Sequence, residues 1–282
     1  MRRTLLAAVL APPLLSGCVS LPEDVLRQHL IEAPEPVSAP YAGLDPGAKS
    51  VETARFLVRA YDTGTAQAYA SFCEDSYTRL TGDLGLYSFA PAAPYNIVVY
   101  RDREEYLAKT KQPEWSGGVA YGNAIHVYEN EAAKGVIAHE IAHLVFREFM
   151  DRTDISGLVW LNEGIAVHAE KAALPASADV YASRVTRLVR PAPLSFTALS
   201  SMPPGQAQTG EAVERWYAQA GSLVTFMIRA GGNFNFYLFL RKLKDGLPPD
   251  SAAGEAFAGT WGDMAAADAA WRARLARLLE AH

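Results

Sequence analysis

Two short segments carry side chains that could hold one metal ion and activate a water. His139-Glu140-Ile141-Ala142-His143 is an H-E-x-x-H pattern. On a helix, positions four apart lie one turn from each other on the same face, so both imidazoles can reach a common ion. Glu140 is turned about 100° from His139, toward the coordination position left open for water. A hydrolytic zinc takes three protein ligands and keeps a fourth position free. The third candidate is Glu163, in Trp160-Leu161-Asn162-Glu163-Gly164-Ile165-Ala166, twenty residues beyond His143.

The elements around these residues must bring them together. Ala132, Ala133, Val136, Ile137 and Ala138 precede the first pattern and Leu144, Val145 and Phe146 follow it, with no proline, so a helix starting near Glu131 is expected. If that helix ends near Phe149 and the next begins near Gly157, each ligand lies six residues from the connector. Six residues of helix rise about 9 Å, so an antiparallel pair sets His143 and Glu163 at one height. The connector from Met150 to Ser156 is short and polar, as such a hairpin needs. Charged groups facing inward from apolar helices need a common partner, and a metal supplies one.

Before this pair, Tyr95-Asn96-Ile97-Val98-Val99-Tyr100 and Ala124-Ile125-His126-Val127-Tyr128 are β-branched and aromatic and are expected as strands. Asp102 to Lys109 reads as a short helix with a solvated charged face, and Trp115-Ser116-Gly117-Gly118 as a turn. Val51, Ala54, Leu57, Val58 and Tyr61 recur at helical spacing, which predicts a helix where the ordered part begins, near Ser50. From Lys171 onward the pattern is helical throughout: Glu211 to about Arg229, stopped by Gly231-Gly232; Phe234 to Lys244; and Asp263 to Glu280, with Trp271, Leu275, Leu278 and Leu279 on one side. The expected class is α+β, with a small sheet and two active-site helices over 95–172 and a helical part over 173–282.

Ahead of residue 50 the chain reads differently. Met1-Arg2-Arg3 is a positive start, and Thr4 to Leu15 is apolar but too short for a stable membrane span. Leu15-Ser16-Gly17-Cys18 resembles the lipobox of bacterial lipoproteins. The resemblance implies that residues 1–17 are removed and that Cys18 carries a lipid; an ordinary signal peptide with a chance cysteine is the alternative. Val19 after the cysteine, in place of aspartate, implies sorting to the outer membrane. Pro22, Pro34, Pro36, Pro40 and Pro46 make residues 18–49 an extended tether. With Cys18 acylated, Cys73 has no disulfide partner and is expected as a small buried residue.

Composition removes other classes. The 282 residues are 50% hydrophobic and 20% charged, with a formal net charge of −5 and both signs mixed along the chain. No basic stripe exists to track a phosphate backbone, so nucleic acid is not an expected partner.

The pair HEIAH and WLNEGIA resembles the gluzincin clan of metallopeptidases. The stretch from about Tyr95 to Leu278 is similar to the peptidase-MA-like domains of bacterial envelope proteins, through the Ile97–Tyr100 strand, WSGGVAYGNAIHVY, WLNEGIAVHAE and RWYAQAGSLVTF. The resemblance implies a zincin-like fold, Zn2+ on His139, His143 and Glu163, Glu140 as general base, and peptide or protein substrates. It also points to Tyr217 as a donor to the oxyanion, although a tyrosine packed beside Trp216 in an amphipathic helix fits the residues as well. Glu170 follows Glu163 by seven residues on the same helix face and either orients a ligand imidazole or makes a surface ion pair. His168 is expected to face away, His126 to lie on the strand edging the cleft, and His29 and His282 to be remote. Aminopeptidases of the clan anchor the substrate amine with a glutamate before H-E-x-x-H, whereas Gly117 to Asn123 holds no carboxylate. An endopeptidase is therefore favoured over an aminopeptidase, with a non-catalytic binding lipoprotein as the other reading.

Overall fold

A computed structural model describes residues 41–114, 116–151, 155–174, 178–201 and 210–277. The signal segment, Cys18, most of the tether, His29, Trp115, the middle of the connector after Met150, Leu278, Leu279 and His282 lie outside the described residues. Among the described residues no helix is long and apolar enough to cross a membrane.

The chain is α+β. Strands β1 (Lys49–Glu52) and β2 (Phe56–Ala60) form an antiparallel hairpin, where the apolar spacing predicted a helix. The reason is visible in β2, whose Phe56, Val58 and Ala60 alternate into the core. Thr53 closes the turn, its hydroxyl accepting from the Phe56 amide at 3.1 Å. The helix comes next, as α1 (Thr63–Asp83), started by Asp62, whose carboxylate accepts from the Thr65 amide at 2.8 Å. Its Ala66, Tyr69, Ala70, Cys73, Tyr77 and Leu80 recur at helical spacing and are buried. Cys73 is a packing residue, and burial pushes its thiol far above the ordinary range.

Strand β3 (Tyr95–Tyr100), helix α2 (Arg103–Thr110) and the hairpin of β4 (Gly118–Tyr121) and β5 (Ala124–Tyr128) complete a five-stranded sheet in the order β1-β2-β3-β5-β4. β2, β3 and β5 run parallel, and both margins are antiparallel. Gly118, read from sequence as part of a turn, begins the edge strand β4. A Cβ there would lie 2.6 Å from Val136 Cγ1, so only glycine lets this strand approach the helix that follows.

One sheet face, with Ile97, Val99, Ile125 and Val127, joins the main core; the other carries Val98, Tyr100 and Val119 under α2. Residues 41–48 already pack on this second face, ahead of the Ser50 start suggested by sequence. The Tyr100 hydroxyl donates to Ala42 O at 2.7 Å, and Lys109 Nζ donates to Gly43 O at 3.0 Å and pairs with Asp45 at 2.8 Å.

The helical part begins with α3 (Ala133–Met150), which a short turn at Ser156–Leu158 connects to α4 (Val159–Ala173). Gly135 meets Leu174 at one end of this pair, while His143 meets Asn162 at the other, so the helices are antiparallel. Then come α5 (Ala178–Arg184), which continues into a π-helical turn at Val185–Val189, and α6 (Phe196–Ser201). Helix α7 (Gly210–Gly231) lies against α4, followed by α8 (Asn233–Lys244), α9 (Pro249–Ala256) and α10 (Met264–Arg277). Gly164 sets the closeness of α4 and α7: a Cβ there would be 2.5 Å from Val224 Cγ2 and 2.8 Å from Ala220 O.

Candidate metal centre

The α3–α4 hairpin brings His139, His143 and Glu163 together. Both imidazole Nε2 atoms lie 3.6 Å from the same oxygen, Glu163 Oε2, and one ligand atom from each residue falls within 4.8 Å of the others. A separation of 3.6 Å is too long for a hydrogen bond. It is close to the roughly 3.3 Å between donors on a tetrahedral zinc with bonds of about 2.0–2.1 Å. Glu163 is only 3% exposed and His143 7%, and a carboxylate so far from water calls for a cation. The donor set therefore fits a zinc ion.

The other ring nitrogens are turned outward and occupied. His143 Nδ1 lies 3.0 Å from Asn162 Oδ1, and His139 Nδ1 lies 3.3 Å from Glu170 Oε2. With Nδ1–H donating to each oxygen, both Nε2 lone pairs are left for a metal. Glu170, open between two readings from sequence, is thus placed against a ligand imidazole. Asn162 was given no role by sequence reasoning. Its signal is its place just before Glu163, where an amide on the neighbouring helical position reaches the second imidazole. Asn162→Ala or Glu170→Gln should weaken metal binding by about 10–100-fold, measured by competition with a chromogenic chelator, while leaving the fold intact by circular dichroism.

His139 responds to its carboxylates. Burial pulls its pKa down, but the nearby carboxylates of Glu163, Glu170 and Glu140 lift it well above 6.5. In the metal-free protein this raised pKa contributes stability that is fully present below about pH 6.5 and lost as pH rises through the folded-state value. A metal must displace the proton. Zinc binding near neutral pH is therefore expected to release a proton and to tighten as pH rises, read by calorimetry in two buffers of different ionisation enthalpy.

Glu140 is buried at 7% exposure on the same helix. Its charge is felt by His139 and also by the Tyr106 phenol, which burial and then Glu140 raise while a hydrogen bond to Ser116 opposes them. The Tyr106 and Ser116 hydroxyls are 2.6 Å apart. Ser116 also bonds Gly118 O at 3.1 Å, at the start of the edge strand. Tyr217 is buried beside Trp216, with ring centres 5.1 Å apart. It lies one turn before Ala220, on the face of α7 that meets Gly164.

The other two described histidines, His126 and His168, are elsewhere. His168 is buried between Asp83 and Thr225. His126 does not edge the cleft: β5 is paired on both sides, by β3 and β4, so its backbone is closed to a substrate. Burial holds its imidazole at about 4, with Nδ1 3.0 Å from the Tyr100 hydroxyl.

Residues 73–277 match the family model described as the Peptidase MA superfamily. The span takes in β3 to β5, both ligand helices and α7. No curated protein matches the chain.

Proposed function

The chain belongs to the peptidase MA superfamily, and from that membership we propose that it is a zinc-dependent endopeptidase of the bacterial envelope, anchored by a lipid on Cys18. One observation carries the catalytic reading: two imidazole Nε2 atoms and a buried carboxylate oxygen converge at 3.6 Å, with a second buried carboxylate, Glu140, on the same helix. His139, His143 and Glu163 would hold the ion. When bound, zinc lowers the pKa of water and polarises a carbonyl oxygen. Glu140 takes the proton from the attacking water and delivers it to the leaving amine. Asn162 and Glu170 keep the imidazoles aimed, and Tyr217 donates to the oxyanion that forms at the scissile carbonyl.

Endopeptidase action is favoured because Gly117 to Asn123 offers no carboxylate to anchor a free amine. Substrates are peptides or proteins within reach of the membrane. The LSGC signature and the proline-rich segment after it support the anchor, and the residue after Cys18 supports the outer membrane. A library of peptides with free or acetylated N-termini tests the reading. Internal cleavage with kcat/KM unaffected by acetylation is expected. Cleavage abolished by acetylation identifies an aminopeptidase, and zinc-loaded protein that binds peptides without cutting any identifies a binding lipoprotein.

A further inference from the structure

Two aromatic side chains stand out into solvent from neighbouring segments. Tyr87 is 75% exposed and Phe234 67%, the most exposed large apolar side chains among the described residues. Tyr87 is at the tip of a turn that the Phe89 amide closes by donating to Leu86 O at 3.0 Å. Phe234 is in the first turn of α8. The two segments pack on each other. Asn233 Nδ2 donates to Gly82 O at 2.9 Å, and a Cβ on Gly85 would lie 2.5 Å from Asn233 O and 2.8 Å from Tyr237 Cβ. Both aromatics therefore belong to one surface, which half-buried Phe89 and Tyr237 continue. At about 150–250 Å² per ring side chain, the exposed pair presents roughly 300 Å² of mostly apolar area to water.

No charge interrupts this surface. The chain carries none from Leu84 to Tyr100 and none from Ala230 to Leu240. Two acids at its margins are occupied: Asp83 by His168 at 3.0 Å, and Glu148 by the Ala92 amide and the Tyr95 hydroxyl. Along α8, Phe234, Tyr237 and Arg241 share one face, at i, i+3 and i+7. Arg241 is exposed, about 10 Å beyond Phe234 along the axis, and its Nη1 donates to the Tyr237 hydroxyl at 3.0 Å; Asp245 comes one turn further out. Convex aromatic tips without charge suit the interface of a bilayer, where such rings settle among the headgroups. A protein partner would have to offer a hollow for each tip. Arg241 is in the last turn of α8, whose carbonyl end already favours a cation, so the aromatic tips carry the assignment.

We propose that Tyr87 and Phe234 dock the domain on the membrane surface, seated in the headgroup layer. The proposal rests on the lipid-anchor reading for delivery to the bilayer. The stretch from Cys18 to Tyr41 can span at most about 80 Å, enough to let this face of the domain turn to the membrane.

The test uses the full lipidated chain in phosphatidylcholine–phosphatidylglycerol vesicles, either plain or brominated on the acyl chains. Phe234→Trp and Val180→Trp each add one indole, at exposed sites, to the five native tryptophans. Sedimentation with the vesicles measures the anchor by itself. Relative to wild type, Phe234→Trp should lose emission in brominated vesicles and Val180→Trp should not. Adding Tyr87→Ser to Phe234→Trp should reduce the loss. A chain that sediments while residue 234 stays unquenched keeps its anchor and overturns the docking surface. Equal quenching at 180 and 234 overturns it too, because the domain then has no preferred face. Unquenched emission with cross-links between two copies through this surface assigns it to self-association instead. A chain that neither sediments nor is quenched loses both the anchor and the docking surface.

Discussion

Glu140→Gln should retain one zinc per chain and lose kcat by about 10²–10⁴-fold. The amide keeps the size and burial of the carboxylate but cannot accept the proton of the attacking water. It touches neither the His139–Glu170 nor the His143–Asn162 contact, so the ligands keep their orientation. KM should move little, because the lost interaction belongs to the transition state. Steady-state kinetics on an internally quenched peptide, with metal content measured on the same sample, checks this. Near-normal turnover in the zinc-replete variant would remove Glu140 from the chemistry.

Gly164→Val should damage fold and site together. The α4–α7 contact leaves no room for a side chain at residue 164, since even a Cβ meets Ala220 O at 2.8 Å and Val224 Cγ2 at 2.5 Å. The obstacle at Ala220 is backbone, so the helices must separate. Overpacking of this kind costs about 3 kcal/mol, or a fall of roughly 10 °C in Tm for a domain of this size. Residue 163 immediately precedes Gly164, so the displacement also carries Glu163, the proposed third ligand, away from the two imidazoles. Zinc affinity should fall with stability in calorimetric titrations and melting curves. Gly157→Val is the control, because a Cβ at 157 meets nothing within 4 Å.

The site was legible because it depends on local periodicity. H-E-x-x-H on a helix places two imidazoles on one face, and the twenty-residue spacing to Glu163 implied the hairpin that the structure contains. Tyr95–Tyr100 and Ala124–Tyr128 were legible as strands because β-branched and aromatic residues fill them. The first hairpin was not. Val51 to Tyr61 has helical spacing by coincidence, and the register of β2 is set by its parallel pairing with β3, nearly forty residues on. In α1, threonine, serine and glycine interrupt the apolar stripe, which weakens its helical signal in the sequence. β4 is short and opens on a glycine that only the close approach of Val136 explains. Its presence at the sheet margin moves His126 into the interior, where a strand-by-strand reading had put it at the edge. Asn162 and Glu170 show the same limit at the site: helical spacing put Glu170 on the correct face, but the choice between imidazole and solvent required the neighbouring helix.

The central claim is the three-ligand metal centre, and elemental analysis tests it most directly. The soluble domain, beginning at Tyr41 so that its packed segment is kept, is reconstituted with zinc and dialysed, in wild-type form and as Glu163→Ala. The account predicts one zinc per wild-type chain and a much weaker, readily dialysed ion in the variant. A wild-type domain that folds and yet stays free of metal after reconstitution would contradict it.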